Sequence, residues 1–248
     1  MSDLADRVFA LQRGGEVSLT EDDAPADVPA GLAVSAGVLA RWQAAGSTVG
    51  GWKVGFSAGA GRDLFADGFR PFGFVPAERV LRSGDEIELA GLVDCRLENE
   101  IALVLGSPLS GPDVTAEQAR AAVRGVAAAF EVCDVRVPLS LPLMAADNMG
   151  NWGIVVGEER SPEGVDLGAV SATIAQDGQE RGRGSAEGYL DDPYLSLARI
   201  CATLDRYGLG LEAGQAVVTG AFAALEVTAP GTWRAEVEGV GSVEVRFR

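Results

Sequence analysis

The chain of 248 residues carries 36 Asp and Glu residues against 20 Lys and Arg, a formal net charge of −16 at pH 7, and no histidine. Its acidic balance argues against nucleic acid and anionic membranes as partners, because both bind through basic patches. The absence of histidine excludes Ser-His-Asp and Cys-His catalysis and histidine-based zinc sites. Acid–base chemistry must therefore come from Asp, Glu, Lys, Tyr, Cys or metal-bound water.

Hydrophobic residues make up 47% of the chain, which is enough to bury a substantial core. No apolar run reaches the roughly 18 residues that predict a membrane span, and the start does not resemble a signal peptide. We therefore expect a cytoplasmic protein. The cysteines Cys95, Cys133 and Cys201 are widely spaced, as is typical of reduced and buried thiols.

The first part of the chain has helical patterns. Residues 2–13 predict a short amphipathic helix, and residues 34–45 predict a second one that closes at Gly46. We assign residues 1–48 to an N-terminal helical cap and residues 49–248 to the catalytic domain. Strands outnumber helices after residue 48 and do not alternate strictly with them, which favours a mixed, mainly β architecture of the α+β class.

Three local signals divide the second half of the chain. Thr115 and Gln118 have the spacing of a capping box and predict a helix that runs to Val126. Residues 169–186 predict a hairpin with a turn near Asp177 and Gly178. Asp192 and the proline after it predict the start of a late helix.

The stretch DCRLENEIALVLG, residues 94–106, is the strongest functional signal. It predicts a buried strand, and alternate side chains of a strand share a face, so Arg96, Glu98 and Glu100 lie together. Burying two unpaired carboxylates would cost roughly several kcal/mol each. A hard divalent cation offsets that cost, whereas the alternative is a solvated face on which Arg96 is the partner. The apolar run continues to Leu105 and favours the metal.

A third ligand is expected from FEVCDVR. Glu131 and Asp134 point to opposite faces if this stretch is a strand, so only one of them joins the pair. Asp134 shares its face with Arg136, which is typical of a structural ion pair. We therefore predict Glu131 as the ligand.

For the other polar residues, the sequence allows both a functional and a purely structural role. Lys53 lies between glycines in GWKVG and either binds a substrate carboxylate, acts as a general acid, or reaches solvent from an edge strand. Asp147 and Asn148 bind substrate or cap the turn that follows them. Thr219 and Gly220 either meet a carboxylate or simply end an apolar strand.

Seven segments, in this order along roughly residues 50–248, resemble the fumarylacetoacetate hydrolase superfamily. They are GWKVGFS, RLENEIALVLG, FEVCDVRV, AADNMGNWGIVVG, DDPYLSLARICATL, QAVVTGAF and GVGSVEVRF. The resemblance is closest to the branch that holds 2-keto-4-pentenoate hydratase and 4-oxalocrotonate decarboxylase.

This resemblance implies a lyase, dependent on Mg²⁺ or Mn²⁺, for a small-molecule substrate that is a short 2-keto or 2-hydroxydienoic acid. The family's metal ligands fall on Glu98, Glu100 and Glu131, and its active-site lysine falls on Lys53. The implied fold is a β-roll or barrel-like domain with an N-terminal helical region, in a homo-oligomer.

The chain departs from the pattern of this branch at three places. Pro71 stands where hydratases commonly have an acidic residue, and Asp192 stands where a histidine is frequent. Met149 to Trp152 replace small hydroxyl residues, so Trp152 is expected to reshape the substrate pocket. Decarboxylation of a 2-oxo-3-enedioate, C–C hydrolysis of an acylpyruvate, tautomerisation and a non-catalytic partner subunit are therefore alternatives to hydration.

Overall fold

The structure is a computed structural model that describes residues 3–65 and 68–248.

The α-helices start at side-chain caps. The Asp27 carboxylate accepts the Ala30 amide at 2.8 Å, and the Asp192 carboxylate accepts the Leu195 amide at 2.8 Å. The helices are α1 (Leu4–Gln12), α2 (Val28–Ala44), α3 (Ala116–Ala122), α4 (Leu141–Ala146) and α5 (Pro193–Asp205).

The strands form two mixed sheets. The strands are β1 (Val49–Val54), β2 (Phe72–Pro76), β3 (Val80–Arg82), β4 (Glu86–Ile87), β5 (Cys95–Leu105), β6 (Val123–Asp134), β7 (Asn151–Val156), β8 (Ser171–Gln176), β9 (Gln179–Ser185), β10 (Ala216–Val218), β11 (Ala223–Glu226), β12 (Gly231–Val237) and β13 (Gly241–Phe247). The larger sheet has the order β2-β1-β10-β5-β6-β7-β3, with β11 also paired to β5, and the smaller sheet has the order β4-β13-β12-β8-β9.

Strand β5 is the centre of the larger sheet. It pairs with β6 along its whole length and with β10 and β11 on its other edge. The middle of β5 is therefore buried, as the apolar run of its sequence predicts. The antiparallel register places Glu98 directly opposite Glu131, so this pairing brings two distant carboxylates to one face.

The prediction of a mixed, mainly β domain is confirmed, but the barrel-like closure is not observed. Each sheet stays open in the described part of the chain, and its edge strands do not pair with each other. Apolar side chains of α1 and α2, including Val8 and Leu32, belong to the same core as those of the sheets. The division at residue 48 stays a prediction.

Two helix boundaries differ from the predicted ones. The helix that follows Thr115 ends at Ala122, because the chain from Val123 onward pairs with β5. This cross-strand pairing outweighs the helix propensity of the following alanines. Helix α2 begins at Val28 rather than residue 34, since Asp27 caps it and a proline occupies its first turn.

The hairpin and the late helix are confirmed. Strands β8 and β9 pair through a turn at Asp177 and Gly178, and α5 starts directly after Asp192. Among residues 3–65 and 68–248, none of the helices has both the length and the apolar character needed to cross a bilayer.

Candidate active site

A cavity of about 320 Å³ opens where β1, β5 and β6 meet the turn that follows α4. Its polar lining includes the predicted lysine, the three predicted glutamates and Asp147. These side chains come from four separate segments of the sequence, and the sheet order brings them together. The polar lining residues are Lys53, Ser57, Arg96, Glu98, Glu100, Glu131, Cys133, Asp147 and Tyr189.

Glu98, Glu100 and Glu131 form one polar side of the cavity, the glutamate wall, and Glu98 and Glu131 lie at its centre. Their carboxylate oxygens and the thiol sulfur of Cys133 lie within 4.8 Å of one another. Glu100 lies two residues further along β5 on the same wall. Its Oε2 accepts the backbone N–H of Gly220 at 2.7 Å. The sequence pointed to the three glutamates but treated Cys133 only as a buried thiol.

Burial and mutual repulsion make these carboxyl groups hard to ionise without a cation. Desolvation, followed by the charge of Glu131, raises the pKa of Glu98 to about 7. The same two causes, with Glu98 added, raise the pKa of Glu100 well above its usual range. A divalent cation would reverse this effect, since it favours the charged form of every nearby carboxylate. The donors are hard oxygens, which suit Mg²⁺ and Mn²⁺.

Lys53 provides one positive charge at this wall. Its Nζ lies 2.8 Å from Oε1 of Glu131 and donates a hydrogen bond to the carbonyl oxygen of Met149 at 3.2 Å. Burial alone would lower the pKa of Lys53, but Glu131, Cys133 and Glu98 outweigh it and raise that pKa. The side chain therefore remains a cation. It does not reach solvent from an edge strand, because β2 and β10 flank β1.

The turn after α4 closes the other side of the cavity. Asn148 accepts the Phe74 N–H through Oδ1 at 2.6 Å and donates to the Phe74 carbonyl through Nδ2 at 2.8 Å. Asn151 donates from Nδ2 to Oε1 of Glu131 at 2.9 Å. The turn thus joins β2 to the glutamate wall, and Asn148 serves to hold it rather than to line the cavity.

Trp152 does not reach the cavity. Its ring packs on the Arg79 guanidinium, with 5.1 Å between the Arg79 Cζ and the ring centroid, and it borders a separate surface groove. Strand alternation explains this placement, because the preceding residue, Asn151, points to Glu131. A reshaped pocket around Trp152 is therefore not observed.

Thr219 lies behind the wall. Its hydroxyl donates to the carbonyl oxygen of Ile101 at 3.4 Å, and the residue does not belong to the lining. The amide of the following residue, Gly220, does face a carboxylate, but that carboxylate is the protein's own Glu100. Asp192 is a helix cap, as the sequence predicts.

The remaining lining of the cavity is apolar. The side chains are Val54, Phe56, Val135, Val137, Leu139, Met144 and Met149, together with several alanines. One end of the cavity therefore concentrates carboxylates and one lysine, and the other surfaces suit a hydrocarbon chain. An amphipathic small acid fits this division.

Gln12 of α1 is the contact that sequence reasoning missed. Its Nε2 donates to Oδ1 of Asp147 at 3.0 Å, across 135 positions of the chain. No local pattern around Gln12 indicates this contact, because it depends on how α1 packs against the turn after α4.

The chain is similar in sequence to one family of known proteins. The model of the fumarylacetoacetate (FAA) hydrolase C-terminal family matches residues 58–248. A 2-hydroxyhexa-2,4-dienoate hydratase of Comamonas testosteroni is 29% identical over 236 residues, 92% of this chain and 89% of the relative. A 2-keto-4-pentenoate hydratase of Burkholderia vietnamiensis is 32% identical over 207 residues, 82% of this chain and 79% of the relative.

A solved structure shares nearly the whole fold. The 4-oxalocrotonate decarboxylase from Pseudomonas putida G7, complexed with magnesium and adipate, has a TM-score of 0.89 and 25% sequence identity. The match covers 99% of this chain and 96% of the decarboxylase. The N-terminal helices therefore lie within the matched fold as well.

Proposed function

Because the chain belongs to the fumarylacetoacetate hydrolase C-terminal family, we propose that it is a divalent-metal-dependent lyase for a short 2-keto or 2-hydroxydienoic acid. Hydration of the kind catalysed by 2-keto-4-pentenoate hydratase is the leading reaction. The observation that carries the proposal is the directly opposed pair of Glu98, which is partly buried, and Glu131, which is buried, with Glu100 and Lys53 on the same cavity wall.

In the proposal, Glu98, Glu100 and Glu131 hold Mg²⁺ or Mn²⁺. The raised pKa values of Glu98 and Glu100 and the hard oxygen donors of all three residues support this assignment, as does the magnesium in the related decarboxylase. Cys133 lies in the same cluster but takes no part as a ligand in the proposal, because its sulfur is a soft donor and Mg²⁺ and Mn²⁺ prefer hard oxygens. The bound metal supplies Lewis-acid stabilisation of the enolate that such reactions form.

The other residues bind and orient the substrate. Lys53 attracts the carboxylate of the 2-keto acid while its contact with Met149 keeps the ammonium group at the wall. Asn151 orients Glu131 by its hydrogen bond, and Asn148 holds the turn that carries Asp147. The apolar surfaces pack against the hydrocarbon part of the substrate and exclude water from it.

Decarboxylation is the second candidate, and Arg96 favours it. This arginine lines the cavity two residues before Glu98, and its Nε has no hydrogen-bond partner among the described residues. A second carboxylate at the far end of a diacid would pair with such a guanidinium. A monocarboxylic dienol would leave it to Asp94, which lies 3.3 Å from its Nη2.

The test is an ultraviolet assay on metal-stripped protein. Mg²⁺ or Mn²⁺ is added first, and 2-hydroxypenta-2,4-dienoate and 4-oxalocrotonate are then supplied separately. Metal-dependent loss of the dienol absorbance supports hydration, and release of carbon dioxide from the diacid supports decarboxylation. A protein that binds no metal and converts neither compound contradicts the proposal and favours a non-catalytic partner subunit.

The proposal also includes a homo-oligomeric state and a cytoplasmic location. Sedimentation analysis of the purified chain tests the first. Fractionation of the cells that produce it tests the second.

A further inference from the structure

One acidic residue of the cavity lies apart from the glutamate wall. We propose that Asp147 moves the proton between water and the substrate carbon, and that Gln12 of α1 is the positioning residue that holds Asp147 in place. This inference rests on the proposed function, since it assigns a proton-transfer group to the same cavity.

Asp147 has one oxygen engaged and one oxygen free. Its side chain is buried, with 1% of the residue exposed, and the residue lines the cavity. Oδ1 accepts from Gln12 at 3.0 Å and lies 3.8 Å from Nη1 of Arg136. Oδ2 has no hydrogen-bond partner among the described residues. An unsatisfied buried oxygen is costly, and a water or substrate group that reaches it from the cavity would satisfy it.

The backbone after Asp147 is strained. Asn148, Met149 and Gly150 have φ values of 56°, 57° and 71°, in the left-handed region. Two of them are not glycine, and residues other than glycine are strained in this region. The side chain of Asn148 holds this conformation through its two bonds to the Phe74 backbone. The fold thus imposes the direction in which Asp147 enters the cavity.

The amide of Gln12 can face Asp147 in only one orientation. The indole N–H of Trp42 donates to Oε1 of Gln12 at 3.0 Å, and an indole nitrogen is a donor only. The oxygen of the amide must therefore face Trp42, and its NH₂ group must face the carboxylate. Arg79 further fixes this residue, because its Nη2 donates to the backbone carbonyl oxygen of Gln12 at 2.8 Å. Gln12 is 4% exposed, so water does not replace these contacts.

No other ionisable group of the cavity suits proton transfer as well. Lys53 is paired with Glu131, the three glutamates are assigned to the metal, and the thiol of Cys133 lies in the same cluster as Glu98 and Glu131. Arg96 carries a guanidinium, which does not lose its proton in proteins, and Tyr189 is 45% exposed. Burial raises the pKa of Asp147 to about 6, although Arg136, Gln12 and Arg79 oppose it and Asp134 adds to it. Such a group exchanges a proton readily near neutral pH.

The substrate of this step is a 2-keto acid with a double bond between C3 and C4, the carbons α and β to the keto group. Water forms a C–O bond to the β carbon and gives its proton to the Asp147 carboxylate. The electrons of the double bond move to the keto oxygen and form an enolate. Asp147 then returns the proton to the α carbon, and the enolate electrons form the new C–H bond and restore the ketone. The net change is addition of one water.

The reverse of the last step offers a test without the natural substrate. We would follow exchange of the α-carbon hydrogens of 2-oxopentanoate with D₂O by proton NMR, in protein loaded with Mg²⁺. The variants are Asp147→Asn and Gln12→Leu. The matched controls are Asp113→Asn and Gln43→Leu, which make the same chemical changes at exposed positions outside the cavity. Mn²⁺ affinity is measured for every protein by electron paramagnetic resonance.

Asp147→Asn is expected to slow the exchange by at least about 100-fold while Mn²⁺ affinity stays at the parent value. Gln12→Leu is expected to slow it less and to move the acidic limb of its pH profile to higher pH, because the donor that lowers the pKa of Asp147 is gone. A merely structural Gln12 would not move that limb, so an unchanged limb overturns its positioning role.

Two results would overturn the inference as a whole. One is exchange in Asp147→Asn at the parent rate, and the other is a parent protein that binds Mn²⁺ but catalyses no exchange. Failure of the parent to bind Mn²⁺ instead contradicts the proposed function itself, and the inference then falls with it. If Asp147→Asn does not fold, the rate and pH profile of Gln12→Leu decide.

Discussion

Glu98 and Glu131 are direct partners across the antiparallel pairing of β5 and β6, and both line the cavity. Like charges directly opposite each other destabilise a sheet. The sheet carries this pair at its centre, where Lys53 supplies one compensating charge to Glu131 and no described residue pairs with Glu98.

Replacement of Glu98 or Glu131 by Gln is expected to abolish metal-dependent turnover. Each change removes one anionic oxygen donor from the cluster, and the amide that replaces it binds Mg²⁺ weakly. Isothermal titration with Mn²⁺ should show an affinity lower by at least about tenfold. Glu159→Gln, at an exposed ion pair with Arg124, is the matched control and should keep both properties. Parent-like turnover in Glu98→Gln would contradict the metal assignment.

Addition of the metal is expected to stabilise the fold. A ligand that binds only the folded state at 100 times its Kd adds about 2.7 kcal/mol, and each kcal/mol raises Tm by roughly 2–4 °C in a chain of this size. A thermal scan with Mg²⁺ or Mn²⁺ should therefore show a rise of several degrees that EDTA reverses. Glu98→Gln should show little of this rise, and an equal rise in that variant would place the ion elsewhere.

Metal-free protein is expected to lose stability as the pH rises. The folded pKa of Glu98, about 7, lies above the 4.5 of an unperturbed glutamate, so the folded state holds more protons between these pH values. The unfolding free energy then falls as the pH rises through this window, by up to roughly 1.4 kcal/mol per pH unit. Urea titrations at pH 5, 6 and 7 measure this. Glu100 and Asp147, whose pKa values are also raised, add to this slope. Saturating metal should therefore reduce the slope, and Glu98→Gln should reduce it by the part that Glu98 contributes.

Lys53→Met is expected to separate metal binding from turnover. Removal of the ammonium group takes away a cation that competes for Glu131, so Mn²⁺ affinity should stay equal or increase. Turnover should fall by about 100-fold or more, because the substrate carboxylate loses its partner. Steady-state kinetics and Mn²⁺ titration on the same sample test both parts. A variant with weaker metal binding and unchanged turnover would contradict the role of Lys53.

Asn148→Ala is expected to destabilise the protein by roughly 1–3 kcal/mol, because it leaves the buried N–H and carbonyl of Phe74 without partners. Asn148→Gly loses the same bonds but accepts the positive φ, so it should cost less than alanine. The midpoints of urea unfolding compare the two. Equal or reversed costs would show that backbone strain at this residue is small.

The strand face was predictable, and its partner strand was not. Alternation along β5 places Arg96, Glu98 and Glu100 together, and a period of two is enough to show it. Alternation also shows which side of β6 carries Glu131. The sequence does not state that β6 pairs with β5 in a register that puts Glu131 opposite Glu98, since that requires the turns and core between them.

The prediction that Trp152 reshapes the substrate pocket is wrong for a simple physical reason. The family pattern drew attention to its position, but Asn151 and Trp152 point to opposite faces of β7. Since Asn151 bonds to Glu131, Trp152 must lie on the far side, where it meets Arg79. Gln12 is the converse case, because its contact with Asp147 arises from tertiary packing that no local spacing encodes.

Lys53 is also the only lysine in the sequence, and the other basic residues are arginines. Reagents that acylate amines therefore have two targets in the whole molecule, the α-amino group and this buried ε-amine. Its salt bridge and raised pKa keep it protonated and slow to react while the site is intact. Coupling through amines at mild pH would thus attach a dye or a resin at the amino terminus. Slow acylation of Lys53 would report, in one mass-spectrometric peak, how often the site opens.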